Sequence, residues 1–311
     1  MGLLAVVDLG SNSFRLQISR VEKGEIYSVD SFREAVRLAA GLSAENLLDD
    51  AAQQRALDAL EHIGERLRGS APDAVRVVGT NALRVAKNSA AFLRKAQQVL
   101  GYPVEVISED EEARLIYLGV AHSQSAPEHR RLVVDIGGGS TELIIGQGFD
   151  PTLMQSLHLG CVGYSLRFFP GGEINKQNLR QAEQAARTEL LTVSYEFRRA
   201  GWDEAVGSSG TIKATAAILE LNGLSKRGIT LEGLEALRAI MLKAGHSDEL
   251  KLAGLRPDRT PIIAGGFAIL SAVFAEFDLS EMMIAKGALR HGVLHDLLGR
   301  APRNKTRNRA A

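Results

Sequence analysis

The feature that most constrains the fold of this chain is an internal repeat. The segment AVVDLGSNSFRLQIS, which starts at Ala5, aligns without gaps with LVVDIGGGSTELIIG, which starts at Leu132, at an offset of 127 residues. Each copy has an apolar run, a turn of small residues and a second, alternating apolar run. This pattern predicts a β-hairpin in each half, with a turn whose backbone can approach an anion closely.

A second pair of motifs lies at nearly the same offset. VRVVGTNALR ends a strand at Gly79 and EAVGSSGTIK ends one at Gly207, 128 residues later, and both lead into predicted helices. Two pairs with matching offsets predict two domains of one topology whose loops face each other across a cleft, with Gly79 and Gly207 equivalent. Helix and strand patterns alternate between these motifs, so we predict the mixed α/β class.

Periodicity and loop composition predict the other elements and the domain boundaries. The polar loop 123–131 predicts a junction between an N-terminal domain at 1–122 and a C-terminal domain at 123–300, followed by a flexible basic tail at 301–311. The apolar run 262–275 is shorter than the roughly 20 residues that span a bilayer, so we predict a core helix after an AGG turn and no membrane segment. Further helices are predicted over 51–68, 89–101, 111–123 and 176–201, and a strand over 104–108.

Charge and cysteine content limit the partners and the compartment. Lys plus Arg and Asp plus Glu each number 37, so the formal net charge is zero and no overall basic field attracts nucleic acid or a membrane surface. Cys161 is the single cysteine, which excludes an internal disulfide and a multi-cysteine zinc site. Together with an N-terminus that lacks a signal-peptide pattern, this predicts a cytoplasmic protein. The oligomeric state stays open, with a homodimer as one expectation.

The small-residue turns and their neighbouring carboxylates point to phosphoryl transfer. Two such turns facing each other offer amide donors to phosphate oxygens and acidic ligands to a divalent cation. The chain contains no GxxxxGK[ST] motif, and GGGSTE does not open a helix, so P-loop and Rossmann interpretations fail. The alternative is purely structural: Gly137 to Gly139 form a tight turn, and Asp8 and Asp135 initiate turns.

The acidic run SEDEEARLIYLG contains one carboxylate with a distinct position. Ser108 is a candidate N-cap, and acidic residues in a first helical turn complement the helix dipole. Glu112 shares a helix face with Leu115 and Ile116, so its side chain is predicted to point inward, where it can activate water. The other acidic residues are assigned to the dipole, the last of them on the exposed side of the turn: Glu109, Asp110 and Glu111.

Seven motifs, in order over almost the whole chain, resemble the exopolyphosphatase and guanosine pentaphosphate phosphohydrolase family: VVDLGSNSFRLQI, TNALR, EEARLIYLGV, VVDIGGGSTELIIG, FPGGEIN, SGTIKA and KGALRHGVL. That family belongs to the actin-like ATPase superfamily, so the resemblance implies two ribonuclease-H-like domains that face an interdomain cleft. It also implies release of terminal orthophosphate from inorganic polyphosphate, because DIGGGS and FPGGEINKQN resemble the exopolyphosphatase branch more closely. Hydrolysis of guanosine pentaphosphate stays open. Long members of the family continue beyond the position of Ala311 with a helical second half.

The resemblance also implies roles for individual residues. Glu112 matches the general base, and Asp135 and Glu142 match acidic residues near a magnesium or manganese ion. Arg15 occupies a position that varies among basic residue types in the family. The positions that match phosphate contacts are Asp8, Ser11, Asn12, Ser13, Arg15, Arg84, Gly137, Gly138, Gly139, Ser140, Ser209, Gly210 and Thr211.

Two other function classes remain as alternatives. A kinase or ATPase of the same superfamily needs an adenosine pocket, for which IIAGGFAIL could supply a glycine turn, but a buried glutamate base suits hydrolysis better. A non-catalytic sensor of polyphosphate or an alarmone reports through domain closure, and it has no use for Glu112 as a base. His291 and His295 have metal-like spacing but no third ligand, so we predict a packing role.

Overall fold

The computed structural model describes residues 2–23, 25–124 and 128–300. The strands are β1 (Gly2–Leu9), β2 (Phe14–Glu22), β3 (Glu25–Glu34), β4 (Ala74–Gly79), β5 (Glu105–Val106), β6 (Arg131–Ile136), β7 (Thr141–Gln147), β8 (Asp150–Leu157), β9 (Glu204–Gly207), β10 (Ile229–Thr230) and β11 (Glu281–Ile284). The helices are α1 (Asp50–Ser70), α2 (Asn81–Val85), α3 (Ser89–Leu100), α4 (Glu109–Ser123), α5 (Cys161–Phe168), α6 (Lys176–Ala200), α7 (Gly210–Leu221), α8 (Leu231–Ala244), α9 (Ile263–Phe277) and α10 (Leu289–Arg300).

The two sheets repeat one strand order. The first runs β3-β2-β1-β4-β5, and the second runs β8-β7-β6-β9-β11 with β10 added at its edge. In each sheet an antiparallel hairpin lies beside a parallel strand, β4 next to β1 and β9 next to β6. This is the ribonuclease-H-like order, so the predicted class of two such α/β domains is confirmed.

The register shows how closely the two halves correspond. Asp8 faces Arg15 in the first hairpin and Asp135 faces Glu142 in the second, as the gapless repeat requires. The parallel neighbours differ, since Leu9 faces Gly79 whereas Gly207 faces Val134, two residues before the counterpart of Leu9. The expected equivalence of Gly79 and Gly207 is therefore wrong by two residues. The six-residue β4 extends further along its neighbour than the four-residue β9.

Local sequence signals account for most of the helices. The predicted helices over 51–68, 89–101, 111–123 and 176–201 correspond to α1, α3, α4 and α6. Ser108 caps α4 as expected, since its hydroxyl accepts a hydrogen bond of 3.2 Å from the backbone N–H of Glu111. The strand predicted over 104–108 shortens to β5. The loop 123–131 is described in part, and the predicted tail 301–311 lies outside the described residues.

The AGG segment is part of helix α9, so the predicted turn is wrong. A side chain on Gly265 would crowd Ser165 of α5, and one on Gly266 would crowd Thr211 of α7. The glycines therefore serve close packing between helices. Among the described residues, Thr260–Phe277 is the one helical segment long and apolar enough to cross a membrane, and 83% of it is buried inside the protein. The prediction of a core helix is confirmed.

The last helix, α10, returns to the first half and packs against α4 and β1. The two helices touch through their backbones, because a side chain on Gly119 of α4 would overlap the carbonyl of Ala288, and one on Gly292 of α10 would overlap the carbonyl of Leu115. This contact fixes α4 against the segment 287–292. The domain boundaries at 122/123 and 300/301 stay a prediction, and α10 contributes to a core that contains residues of both sheets.

We expect Gly292→Ala to destabilise the protein by about 1–3 kcal/mol, because the added methyl group forces α10 away from α4. Urea denaturation of the purified variant measures the change. Gly299→Ala is the matched control, since Gly299 lies in the same helix with no atom near its missing side chain. Alanine is the better helix former, so the control is expected to be at least as stable as the original protein. Equal stability of the two variants would contradict the backbone contact.

Candidate active site

A cavity of about 390 Å³ lies between the two halves and is lined by loops from both. Most of the residues predicted from the sequence line it. Arg84 and Glu142 do not, but each contacts or faces a lining residue. The predicted residues that line the cavity are Asp8, Ser11, Asn12, Ser13, Arg15, Glu112, Asp135, Gly137, Gly138, Gly139, Ser140, Ser209, Gly210 and Thr211.

The two hairpin turns, 10–13 and 137–140, approach each other directly. A side chain on Gly138 would lie 3.0 Å from the backbone nitrogen of Asn12, so only a glycine fits without displacement. The second turn is anchored from behind, because the carbonyl oxygens of Gly137 and Gly138 accept hydrogen bonds from the backbone N–H groups of Cys161 and Val162 at 3.0 and 3.1 Å. The turns therefore hold a fixed gap lined by small residues.

A third loop adds the start of helix α7. Ser209 caps this helix by accepting a hydrogen bond of 3.1 Å from the N–H of Ile212. The neighbouring Ser208 donates its hydroxyl to Asp135 Oδ2 at 2.5 Å. The beginning of a twelve-residue helix thus faces the cavity, where its free N–H groups and dipole favour an anion.

Glu112 points into the cavity from helix α4, as predicted, and is only 7% exposed. Its Oε2 accepts a hydrogen bond of 3.1 Å from Nη1 of Arg84, which also donates to the carbonyl of Ile107 at 2.9 Å. Burial raises the pKa of Glu112 well above its usual value, with a further contribution from the charge of Glu142 and opposition from Arg84. The carboxylate is therefore oriented by Arg84, largely buried and more basic than an exposed glutamate.

Three more carboxyl groups lie around the same point. Burial raises the pKa of Asp8 and of Asp135, and burial together with the charge of Asp135 raises the pKa of Glu142 to about 7. Glu142 also accepts a hydrogen bond of 2.9 Å from Ser156. Crowded, buried carboxylates are costly to ionise, and a bound cation offsets that cost.

A divalent cation fits this set of side chains only if water and substrate phosphates supply the rest of its ligands. Among the residues that the structure describes, no group of three or more His, Cys, Asp or Glu side chains has metal-binding geometry. Magnesium is usually held by one or two carboxylates, with water and substrate phosphates completing its shell. Asp135 lines the cavity, and Glu142 faces Asp135 in the register of β6 and β7. These two carboxylates match that requirement.

Several cations on the cavity wall were not among the residues predicted from the sequence. Lys213 and Arg290 lie inside motifs that were recognised, SGTIKA and KGALRHGVL, and that was the available signal. Burial, with the neighbouring Arg290 next, lowers the pKa of Arg15 to about 10, and Asp8 opposes this shift. The cavity lining thus combines the carboxylates of Asp8, Glu112 and Asp135 with six cationic side chains: Arg15, Lys213, Arg256, Arg259, Lys286 and Arg290.

Helix α10 carries two histidines, His291 and His295, in or near the cavity wall. The ring of His295 stacks on that of His122, with centroids 3.7 Å apart, so its predicted packing role is confirmed. His291 lines the cavity, which the sequence did not indicate. Burial, with nearby positive groups next, lowers the pKa of His291 and of His295 to about 4.

We expect these histidines to make the protein less stable as the pH falls from about 6.5 to 4. In this range they stay neutral when folded but bind protons when unfolded, where the usual histidine pKa of about 6.5 applies, so the unfolded state gains protons. Thermal unfolding followed by circular dichroism measures Tm across this range. His295→Gln is expected to reduce the fall in Tm, and His158→Gln, at an exposed position, is the control. Identical pH profiles for His295→Gln and the original protein would contradict this assignment.

Comparisons with known proteins agree with the fold. The sequence model of the Ppx/GppA phosphatase family matches residues 17–301. An exopolyphosphatase from Cytophaga hutchinsonii is 24% identical and superposes with a TM-score of 0.87, over 96% of this chain and 98% of its own. The Ppx/GppA family member of Aquifex aeolicus is 26% identical, with a TM-score of 0.77 over 96% of this chain and 99% of its own. The chain belongs to the Ppx/GppA phosphatase family.

Proposed function

We propose that this phosphatase is an exopolyphosphatase, which releases terminal orthophosphate from inorganic polyphosphate by hydrolysing phosphoanhydride bonds. One observation carries the proposal: a buried carboxylate, Glu112, is held by Arg84 in a cavity walled by glycine and hydroxyl turns. The turns suit a phosphate group, and the oriented carboxylate suits a water molecule beside it.

The reaction follows from this arrangement. The terminal phosphate lies between the turns 10–13 and 137–140, and Glu112 orients a water molecule and accepts its proton. The water oxygen attacks phosphorus in line, the bridging P–O bond breaks, and its electron pair leaves with the shortened chain. The raised pKa of Glu112 makes the ionised carboxylate a stronger proton acceptor than an exposed glutamate.

Asp135 and Glu142 are the residues proposed to hold a magnesium or manganese ion. When bound, such an ion neutralises charge on the phosphate oxygens and polarises the reacting phosphoryl group. The hydroxyl of Ser208 and that of Ser156 each donate to one of these carboxylates and fix its orientation. These hydrogen bonds orient two hard oxygen ligands beside the turns 10–13 and 137–140, the phosphate turns of this proposal.

The lining favours an inorganic chain over a nucleotide. Six lysine and arginine side chains line the cavity, among them Lys213, Arg256 and Arg259. Among the described residues that line the cavity there is no Phe, Tyr or Trp on which a guanine base could stack. A polyanion of repeating phosphates meets charge complementarity along this wall, so polyphosphate is the preferred substrate in the proposal.

A phosphate-release assay with polyphosphate, guanosine pentaphosphate and ATP tests the proposal. We expect kcat/KM to be highest for polyphosphate and lowest for ATP. A higher value for guanosine pentaphosphate would assign the chain to the other substrate of the family, and a higher value for ATP would favour the ATPase alternative. Single-turnover measurements with excess enzyme examine the sensor alternative, since a pure sensor binds polyphosphate without releasing phosphate under these conditions.

A further inference from the structure

Asn81, in the short helix α2, has a buried amide with an unpaired donor. Its side chain lines the cavity and the residue is 6% exposed, yet its Nδ2 has no hydrogen-bond partner. Asn12, 7% exposed and also in the lining, leaves both Nδ2 and Oδ1 unpaired. An unpaired buried polar group destabilises a fold, so these amides indicate a ligand that completes their hydrogen bonds.

The surroundings of Asn81 keep this space small and fixed. A side chain on Gly139, in the turn from the second half, would overlap Oδ1 of Asn81. Ser11 accepts a hydrogen bond of 3.1 Å from the backbone N–H of Ala82, which ties α2 to the turn 10–13. The amide of Asn81 is therefore held at the gap between the two phosphate turns.

Charge explains why a neutral donor suits this position. Glu112, Asp8 and Asp135 all line the same cavity, and Glu112 already has Arg84 as its cationic partner. A lysine or arginine beside the carboxylate would pair with it and lower its basicity. An amide donates a hydrogen bond to a phosphate oxygen without neutralising the base.

We propose that Asn81 binds the terminal phosphate by donating from Nδ2 to a non-bridging oxygen, beside Asn12, which the family resemblance already implies as a phosphate contact. This contact holds the phosphorus in line with the water at Glu112, so Asn81 is a further substrate-binding residue. The inference rests on the proposed phosphate-releasing function.

The test compares Asn81→Ala and Asn81→Asp with the unaltered protein. We expect kcat/KM for polyphosphate to fall by about 10–100-fold in Asn81→Ala, as for a lost hydrogen bond to a charged group, and further in Asn81→Asp, where a carboxylate repels the phosphate. The Kd for inorganic phosphate, measured by calorimetry, is expected to rise in the same order. Tm is expected to stay the same or rise in Asn81→Ala, because an unpaired buried amide is removed.

Asn88→Ala is the matched control for an asparagine with a structural role. Asn88 donates to the carbonyl of Leu48 and accepts from its N–H group, each at 2.9 Å, and it lies outside the cavity lining. Its removal is expected to lower Tm and leave kcat/KM unchanged. The same result for Asn81→Ala would overturn the inference.

The two proposals fail in different ways. If the original protein releases phosphate from polyphosphate but both Asn81 variants keep its kcat/KM and its Kd for phosphate, the role of Asn81 is wrong and the function stands. If no polyphosphate is hydrolysed but phosphate binding weakens in both variants, the binding role stands and the function is wrong. Should Asn81→Asp fail to fold, the Kd and Tm of Asn81→Ala decide.

Discussion

Glu112→Gln is expected to lower kcat for polyphosphate hydrolysis by about 10²–10⁴-fold with little change in KM. Glutamine keeps the shape of the side chain and its contact with Arg84, but it cannot accept the proton of the attacking water. The phosphate turns are untouched, so substrate binding is preserved. Steady-state phosphate release at saturating polyphosphate measures the loss.

Asp110→Asn is the matched control, since Asp110 lies in the same helical turn and is exposed. It is expected to keep full activity. Glu111, which the sequence placed on the exposed side of the turn, is not suitable: it binds Arg114 at 2.7 Å and Arg76 at 3.3 Å in an ion-pair network between α4 and β4. If Glu112→Gln keeps activity within a few-fold of the original protein, the base lies elsewhere and Glu142 is the next candidate.

Removal of divalent metal with excess chelator is expected to abolish phosphate release, and magnesium or manganese is expected to restore it. The reason is the proposed role of Asp135 and Glu142 as hard oxygen ligands beside a substrate rich in negative charge. Colorimetric phosphate assays across a magnesium titration measure the dependence. Full activity in excess chelator would contradict the metal proposal.

The variant Glu142→Gln tests whether Glu142 itself contributes to magnesium binding. The variant is expected to need a higher magnesium concentration for half-maximal activity and to reach a lower kcat, since one of the two proposed ligands is lost. Asp150→Asn is the control, because Asp150 is an exposed carboxylate on β8, the strand next to β7. An unchanged magnesium midpoint in Glu142→Gln would remove Glu142 from the metal site.

The sequence predicted those parts of the site that depend on local pattern. The hairpin turns follow from strand periodicity around 10–13 and 137–140, and the inward direction of Glu112 follows from helical spacing. Lys213 and Arg290 were missed because α7 and α10 bring them to one cavity from different parts of the fold. The spacing of the two residues along the chain does not indicate that proximity.

Arg84 has a position that the motif alone does not give. The resemblance places it among the phosphate contacts, whereas the structure places its guanidinium against Glu112 and the carbonyl of Ile107, outside the cavity lining. Its direction is set by where α4 and the segment at Ile107 lie beside α2, which is a property of the whole fold. The AGG segment of α9 was predicted as a turn for a similar reason: its glycines are required by contacts with neighbouring helices, which the local sequence does not indicate.

The return of α10 to the first half means that the backbone passes between the halves twice, after α4 and again after β11. The helices at these two crossings lie between the sheets, since α4 packs against β6, β7 and β8 and α10 packs against β1. The backbone contact between α4 and α10 is therefore also a contact between the two halves. The core that α10 completes holds residues of both sheets, Leu4 and Val6 from the first and Val133 and Ile144 from the second, so docking of the last helix ties the unfolding of the two halves together.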